Sequence, residues 1–212
     1  MNYYKNLKTQ EFKLREKNKK LLEKLGYSLV SSLGGNCFVY RAKRKGKKVT
    51  LKMDNPFNVH GFQTKNEIRI LSRVKEVRGD NVDLFRRVIG CGYLSGVAQI
   101  IDFYEKIEVK GYVEDVSILV KNYICGETSM NMRLNKRQFA YLERTISELH
   151  ESGIFRLDLH NRGNVIIEDY TGLPKLIDLG IAGMNEDICV PEFSSSIDLK
   201  DLKSYRPLDG KV

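Results

Sequence analysis

Apolar positions in this chain alternate with polar ones in some stretches and fall three or four apart in others, and that difference of period separates strands from helices. Tyr27 to Ser32 and Phe38 to Lys43 read as strands on either side of the glycine pair Gly34 and Gly35. Lys47 to Met53 reads as a third strand after a turn at Gly46, so the three predict an antiparallel meander. From Gln63 to Val77, the residues Ile68, Leu71 and Val74 keep the spacing of one helix face, and a helix is expected there. Strand-like segments return at Val97 to Tyr104 and Val116 to Tyr123. A helix is predicted from Lys136 to Ser152, with Phe139, Leu142, Ile146 and Leu149 inward and Gly153 as its stop. Two short apolar strands, Asn164 to Ile167 and Pro174 to Ile177, then bracket an Asp-Tyr-Thr-Gly turn. Strands first and helices after them make this an α+β chain.

Ahead of the strands, Thr9 to Leu25 predicts a basic helix whose sparse apolar stripe is Phe12, Leu21, Leu22 and Leu25. Residues 1–26 hold seven Lys and one Arg against three Glu, so 8 − 3 = +5 of the formal +9 lies there. Such a segment reads as a solvated, surface-docked helix, with nucleic acid or another acidic surface as its alternative partner. With 42% hydrophobic and 30% charged residues over 212 positions, the chain has the composition of a soluble globular protein. It shows neither a membrane-spanning run nor a signal peptide, and the expected location is the cytoplasm, with delivery into another cell left open. Cys37, Cys91, Cys125 and Cys189 lie far apart with no Cys-x-x-Cys pair, so reduced, mostly buried thiols are expected and not a zinc site or disulfide framework.

The densest polar constellation runs from Arg156 to Gly180. It holds Asp158, His160, Asn161, Arg162 and Asn164, then a hairpin, then Asp178-Leu179-Gly180. Phosphoryl transfer asks little covalent chemistry of a protein, but it needs a carboxylate near the attacking hydroxyl and hard oxygen ligands for magnesium. Two aspartates and an asparagine supply both. Taken singly, each of these residues has a plainer reading: Asp-Leu-Gly as a turn, and Asp158 and Asn164 as local hydrogen-bonding groups of a loop. Lys52 alone is a strand lysine, and Glu67 alone a helix-face charge.

Their order along the chain resembles the protein-kinase-like superfamily, over most of residues 27 to 184. The segment "GIFRLDLHNRGNVII" is similar to that family's catalytic loop, and "PKLIDLGIAG" to its metal loop. "VTLK" at 49–52 resembles the lysine of the third strand, "NEIRIL" the helix glutamate that pairs with it, and "SSLGGNCFVYRA" the glycine-rich phosphate cover. "ILVKNY" at 118–123 resembles the hinge beside adenine. The resemblance implies a two-lobed fold with residues 1–26 as an extension, 27–123 as an antiparallel-sheet N-lobe and 124–212 as a much reduced helical C-lobe. It implies ATP with Mg2+, or Mn2+, as cofactors. Asp158 then orients or deprotonates the acceptor hydroxyl, and Asp178 and Asn164 hold metal. Lys52, fixed by Glu67, meets the α- and β-phosphates, Gly34 and Gly35 cover them, and the backbone at Val120 and Asn122 binds the base.

Several positions depart from the family pattern. Asp158 and Asn164 are six residues apart, one more than usual, which keeps Asn161 open as the metal ligand in place of Asn164. Arg156 and Leu157 stand where His-Arg is usual, so with Leu157 no arginine stands immediately before Asp158 to receive an activating phosphate, and activity without that switch is expected. His160 resembles the aminoglycoside phosphotransferases, or serves as a loop-ordering group. Arg162 is a candidate for the transferring phosphate. "VPEF" at 190–193 resembles the family's Ala-Pro-Glu segment, and "SIDLKDLKSY" predicts one last helix with Asp198 near its start, too short a tail for the family's peptide platform. The pattern resembles minimal atypical kinases such as the RIO group and compact bacterial effector kinases. It implies a serine/threonine protein kinase, including self-phosphorylation, with a small-molecule kinase and an ATP-binding pseudokinase scaffold as the alternatives.

Overall fold

The computed structural model describes residues 2–34, 36–58, 61, 63–72, 96–98, 100–109, 112–184 and 191–207. The chain is α+β, and it divides into two compact units, one of residues 1–68 and 100–123 and the other of 69–99 and 124–212. No described helix is long and apolar enough to cross a membrane.

The first unit is built on a five-stranded antiparallel sheet. Helix α1 (Asn2–Lys24) precedes strands β1 (Ser28–Ser32), β2 (Phe38–Arg44) and β3 (Lys47–Met53), which form the expected meander. Strands β4 (Ile100–Val109) and β5 (Tyr112–Asn122) complete the sheet in the order β1-β2-β3-β5-β4. Helix α2, over 64–72, follows β3, and the division between the units falls within it, after Ile68; the remainder of the helix expected to Val77 lies outside the described residues. One sheet face presents Phe38, Tyr40, Ala42, Val49, Leu51, Met53, Ile118 and Val120, alternate residues of three neighbouring strands, and α1 covers it with Leu21 and Leu22. The basic helix is thus part of a core and not merely docked on a surface.

Phe12 does not belong to its buried stripe, being 64% exposed, whereas Leu14 packs against the core. The nine residues from Phe12 to Leu21 rotate a helix by about two and a half turns, which puts them on opposite sides; the seven from Leu14 to Leu21 bring the same side back. Two further expectations are corrected here. Val97 is not in the sheet of the first unit: it bridges Leu176 in the second unit, with Leu176 N donating to Gly96 O at 2.6 Å and Ala98 N to Leu176 O at 2.7 Å. β4 and β5 also run farther than their apolar runs, because backbone pairing continues through Ile107↔Glu114 and Val109↔Tyr112, where charged residues interrupt the pattern.

In the second unit, β6 (Gly126–Thr128), β8 (Val165–Glu168) and β9 (Pro174–Leu176) form a three-stranded sheet, and β7 (Ile154–Phe155) pairs with β10 (Gly183–Met184). Helix α3 (Lys136–Glu151) starts at a reciprocal cap: Gln138 N donates to Asn135 Oδ1 and Asn135 N donates to Gln138 Oε1. It stops at Gly153, whose φ of 75° lies in the region that glycine takes without strain. Leu142, Ile146 and Leu149 are fully buried as expected, but Thr145 is buried with them while Phe139 is only partly so. Helix α4 (Pro191–Leu202) follows, with Asp198 1% exposed at its centre. Of the cysteines, Cys37 is buried, its thiol donating to Gly61 O and its pKa raised by desolvation. Cys125 is exposed, contrary to expectation, because it lies in the link between β5 and β6. Cys91 and Cys189 lie outside the described residues.

Candidate functional site

The first unit brings Lys52 and Glu67 together. Lys52 sits on β3 between the core residues Leu51 and Met53, so strand alternation turns it to the other face of the sheet. On α2, Glu67 lies in the first turn of a helix whose start is fixed by Asp54, which accepts from Thr64 N at 2.8 Å. Lys52 Nζ is 2.7 Å from Glu67 Oε2, and the two side chains are 3% and 1% exposed. A second lysine that the sequence reading passed over is there as well: Lys121 Nζ donates to Glu67 Oε1 at 2.5 Å. The only sign of it in the sequence is a charge directly after the apolar run Ile118 to Val120 on β5.

Other expected positions of this unit have distinct settings. Val120 is 1% exposed and belongs to the hydrophobic core, so any contact it makes with a base is through its backbone. Asn122 is partly buried at the end of β5, opposite Val49. Gly34 has φ +78° with open space where a Cβ would stand, and Leu33 N donates to Val39 O at 2.8 Å across the turn. Gly35 lies outside the described residues.

The second unit brings Asp158, Asn164, His160 and Asp178 into one neighbourhood. Asn164 Nδ2 donates to Asp158 Oδ2 at 2.8 Å and to the Asp158 carbonyl at 3.3 Å. Asn161 holds the loop from inside: its side chain accepts from Gly163 N and donates to Asn164 Oδ1 at 3.2 Å. Residues 162–164 form a single helical turn, which sets Asn164 beside the aspartate. Ile177 N donates to Asn164 O at 2.9 Å, which ties the segment before Asp178 to the same loop, and Asp178 Oδ1 accepts from Gly180 N.

Electrostatics single out Asp158. Burial is the largest influence and raises its pKa above the ordinary carboxylate value; Asp178 and Asp201 add to the rise, while His160 and the Asn164 hydrogen bond oppose it. His160 Nδ1 lies 3.0 Å from Asp158 Oδ1, with the imidazole 72% exposed. Arg162 stacks its guanidinium over Tyr205 at 4.6 Å and donates to Ser204 O, and Tyr205 donates to Leu159 O.

Beneath this loop lies the other group that sequence reasoning undervalued. Asp198 accepts from Arg156 N and Leu157 N, both at 2.8 Å, and its carboxylate lies 2.9 Å from His150 Nε2. Arg156 and Asp158 have φ of 60° and 56°, values that cost a residue with a side chain about 1–2 kcal/mol each. A buried carboxylate bound to two consecutive amides holds the loop in this shape. Among the described residues no cluster of three or more His, Cys, Asp or Glu is placed to hold a metal ion. The oxygen donors of Asp178 and Asn164 still suit magnesium, which takes one or two protein oxygens and fills the rest of its shell with water and phosphate. No protein-family model matches the chain, and no curated protein matches it in sequence.

Proposed function

We propose that this protein is an ATP-dependent phosphotransferase of the protein-kinase-like kind, two-lobed, which moves the γ-phosphate of Mg-ATP onto a hydroxyl group, protein serine or threonine in the first instance. The observation that carries the reading is the buried Lys52–Glu67 pair, found where the order of motifs asks for it. Lysine and glutamate are seldom fully buried, and an apolar pair of similar volume often serves stability as well or better, which favours a functional reading of this pair.

In this reading Lys52 holds the α- and β-phosphates and Glu67 fixes Lys52. Asp158 accepts the proton of the acceptor hydroxyl as that oxygen forms its bond to the γ-phosphorus and the bond to the β–γ bridging oxygen breaks, with ADP as the leaving group. Its raised pKa brings it closer to the range useful for a general base. Asn164 aligns the Asp158 carboxylate and, with Asp178, supplies oxygen ligands. Bound magnesium supplies neutralisation of charge on the phosphates.

Labelled ATP tests the proposal. Asp178→Ala is expected to abolish transfer, and Asp158→Ala to slow it by about 10²–10⁴-fold while the rise in melting temperature with Mg-ATP persists. Phosphate found on serine or threonine supports the protein acceptor, and phosphate found only on an added amino-sugar would move the assignment to a small-molecule kinase. Transfer that persists in both variants refutes the site; nucleotide binding by the wild type without transfer makes it a scaffold.

A further inference from the structure

The glycine turn between β1 and β2 is held by groups that belong to neither strand. Its backbone is closed by the bond from Leu33 N to Val39 O at 2.8 Å. Arg15, on α1, reaches both stems of the turn. Its Nη1 donates to Ser32 Oγ at 3.3 Å, at the end of the incoming strand, and its guanidinium lies 5.0 Å over the ring of Phe38, which opens the outgoing one. Nη2 donates to Glu11 Oε1 at 3.1 Å, one helical turn back, which steadies the fork. The helix that presents Arg15 is itself seated on the sheet through Leu14, Leu21 and Leu22. At the far end of the turn, Asn58 Nδ2 donates to Asn36 Oδ1 at 3.2 Å and Cys37 Sγ to Gly61 O at 3.3 Å. Between these holds, Leu33 and Gly34 are exposed.

We infer that Arg15 is a positioning residue for the phosphate cover: it ties both stems of the glycine turn to α1 and keeps the turn's backbone amides ready for the phosphates of a nucleotide. The inference rests on the ATP reading, in which this turn covers the phosphates, and it adds α1 to the parts of that site. A loose turn of small residues has many backbone conformations, and their loss on binding opposes affinity. A turn held at its stems has less freedom to lose. Arginine suits the place because its plane donates from the edge while its face covers a ring, and a lysine ammonium does not do both from one position.

Arg15→Met keeps much of the stem and the helix propensity and removes the fork. It is expected to raise KM for Mg-ATP about threefold to tenfold, the size of one exposed hydrogen bond and one cation–π contact, with the rise in KM exceeding the fall in kcat. Ser32→Ala is expected to raise KM by a smaller factor, and the double variant to show no greater rise than Arg15→Met alone, because the two changes remove a shared contact. Effects that multiply would mean independent roles and overturn the inference. Arg15→Lys keeps the charge of α1 without the fork and is expected to restore KM only in part; full restoration would make the effect one of charge and overturn it as well. A merely structural arginine would lower the melting temperature of the nucleotide-free protein and leave KM unchanged, and that result overturns the inference alone. Absence in the wild type of both phosphate transfer and any Mg-ATP-dependent rise in melting temperature overturns the ATP reading and this inference with it.

Discussion

Lys175 shows how a single buried charge makes stability depend on pH. It is 3% exposed on β9, and burial lowers its pKa, opposed in part by Glu168 at 4.0 Å. Between that lowered value and about 10.4, where a lysine in the unfolded chain titrates, the unfolded state binds more protons, so stability rises with pH across this window. Below the window the penalty of a buried ammonium is fully present. Lys175→Met is therefore expected to melt higher than the wild type at pH 7, with the difference shrinking as pH approaches 10 in thermal scans; a constant difference would contradict the assignment. The residue scale is also where the sequence is hardest to read. Asp158, Asn164 and Asp178 could be named from their order, and the structure places them in one loop system. Lys121 and Asp198 could not, because what matters in each is the partner, which lies 54 and 42 residues away in the chain.

At the scale of elements, period gave type and cap gave boundary. The meander, α3 and the hairpin of β8 and β9 stand within a residue or two of where alternation and helical spacing put them. Misreadings came where one signal masked another. Charges hid the length of β4 and β5, and the buried stripe of α1 takes Leu14 in place of Phe12, alongside the expected Leu21, Leu22 and Leu25. That stripe gives the helix a measurable weight. Leu22 is completely buried, and Leu22→Ala is expected to cost about 2–5 kcal/mol, read as a shift of the urea midpoint. The same change at Phe12, which is mostly exposed, should shift it by less than about 0.5 kcal/mol. Equal losses at the two positions would show that α1 does not sit on the sheet by this face.

For the molecule as a whole, the excess of positive charge and the core of the first unit share one helix. Lys13, Lys17, Lys20 and Lys24 are exposed on α1 while Leu21 and Leu22 are buried in the core. Deleting residues 1–26 would remove part of a core along with the charge, so the test of an acidic partner is substitution. If α1 is a surface for polyanions, changing those four lysines to Gln should flatten the salt dependence of binding to duplex DNA by about 0.9 in log–log slope for each lost phosphate contact. An unchanged slope would exclude α1 as that surface. The α+β class was legible at this scale because segment type depends on local pattern. The pairing of Val97 with Leu176 was not, since a short apolar run names a strand without naming its neighbour.

The carboxylate of Asp198 sets a schedule as well as a shape. Chains emerge from the ribosome amino end first, so Arg156 and Leu157 are made some forty residues before the group that holds their amides. Until α4 has been synthesised, the loop lacks the anchor that offsets its two left-handed residues. Early translation can assemble the sheet and α3, but the arrangement around Asp158 has to wait for a later stretch of the same polypeptide.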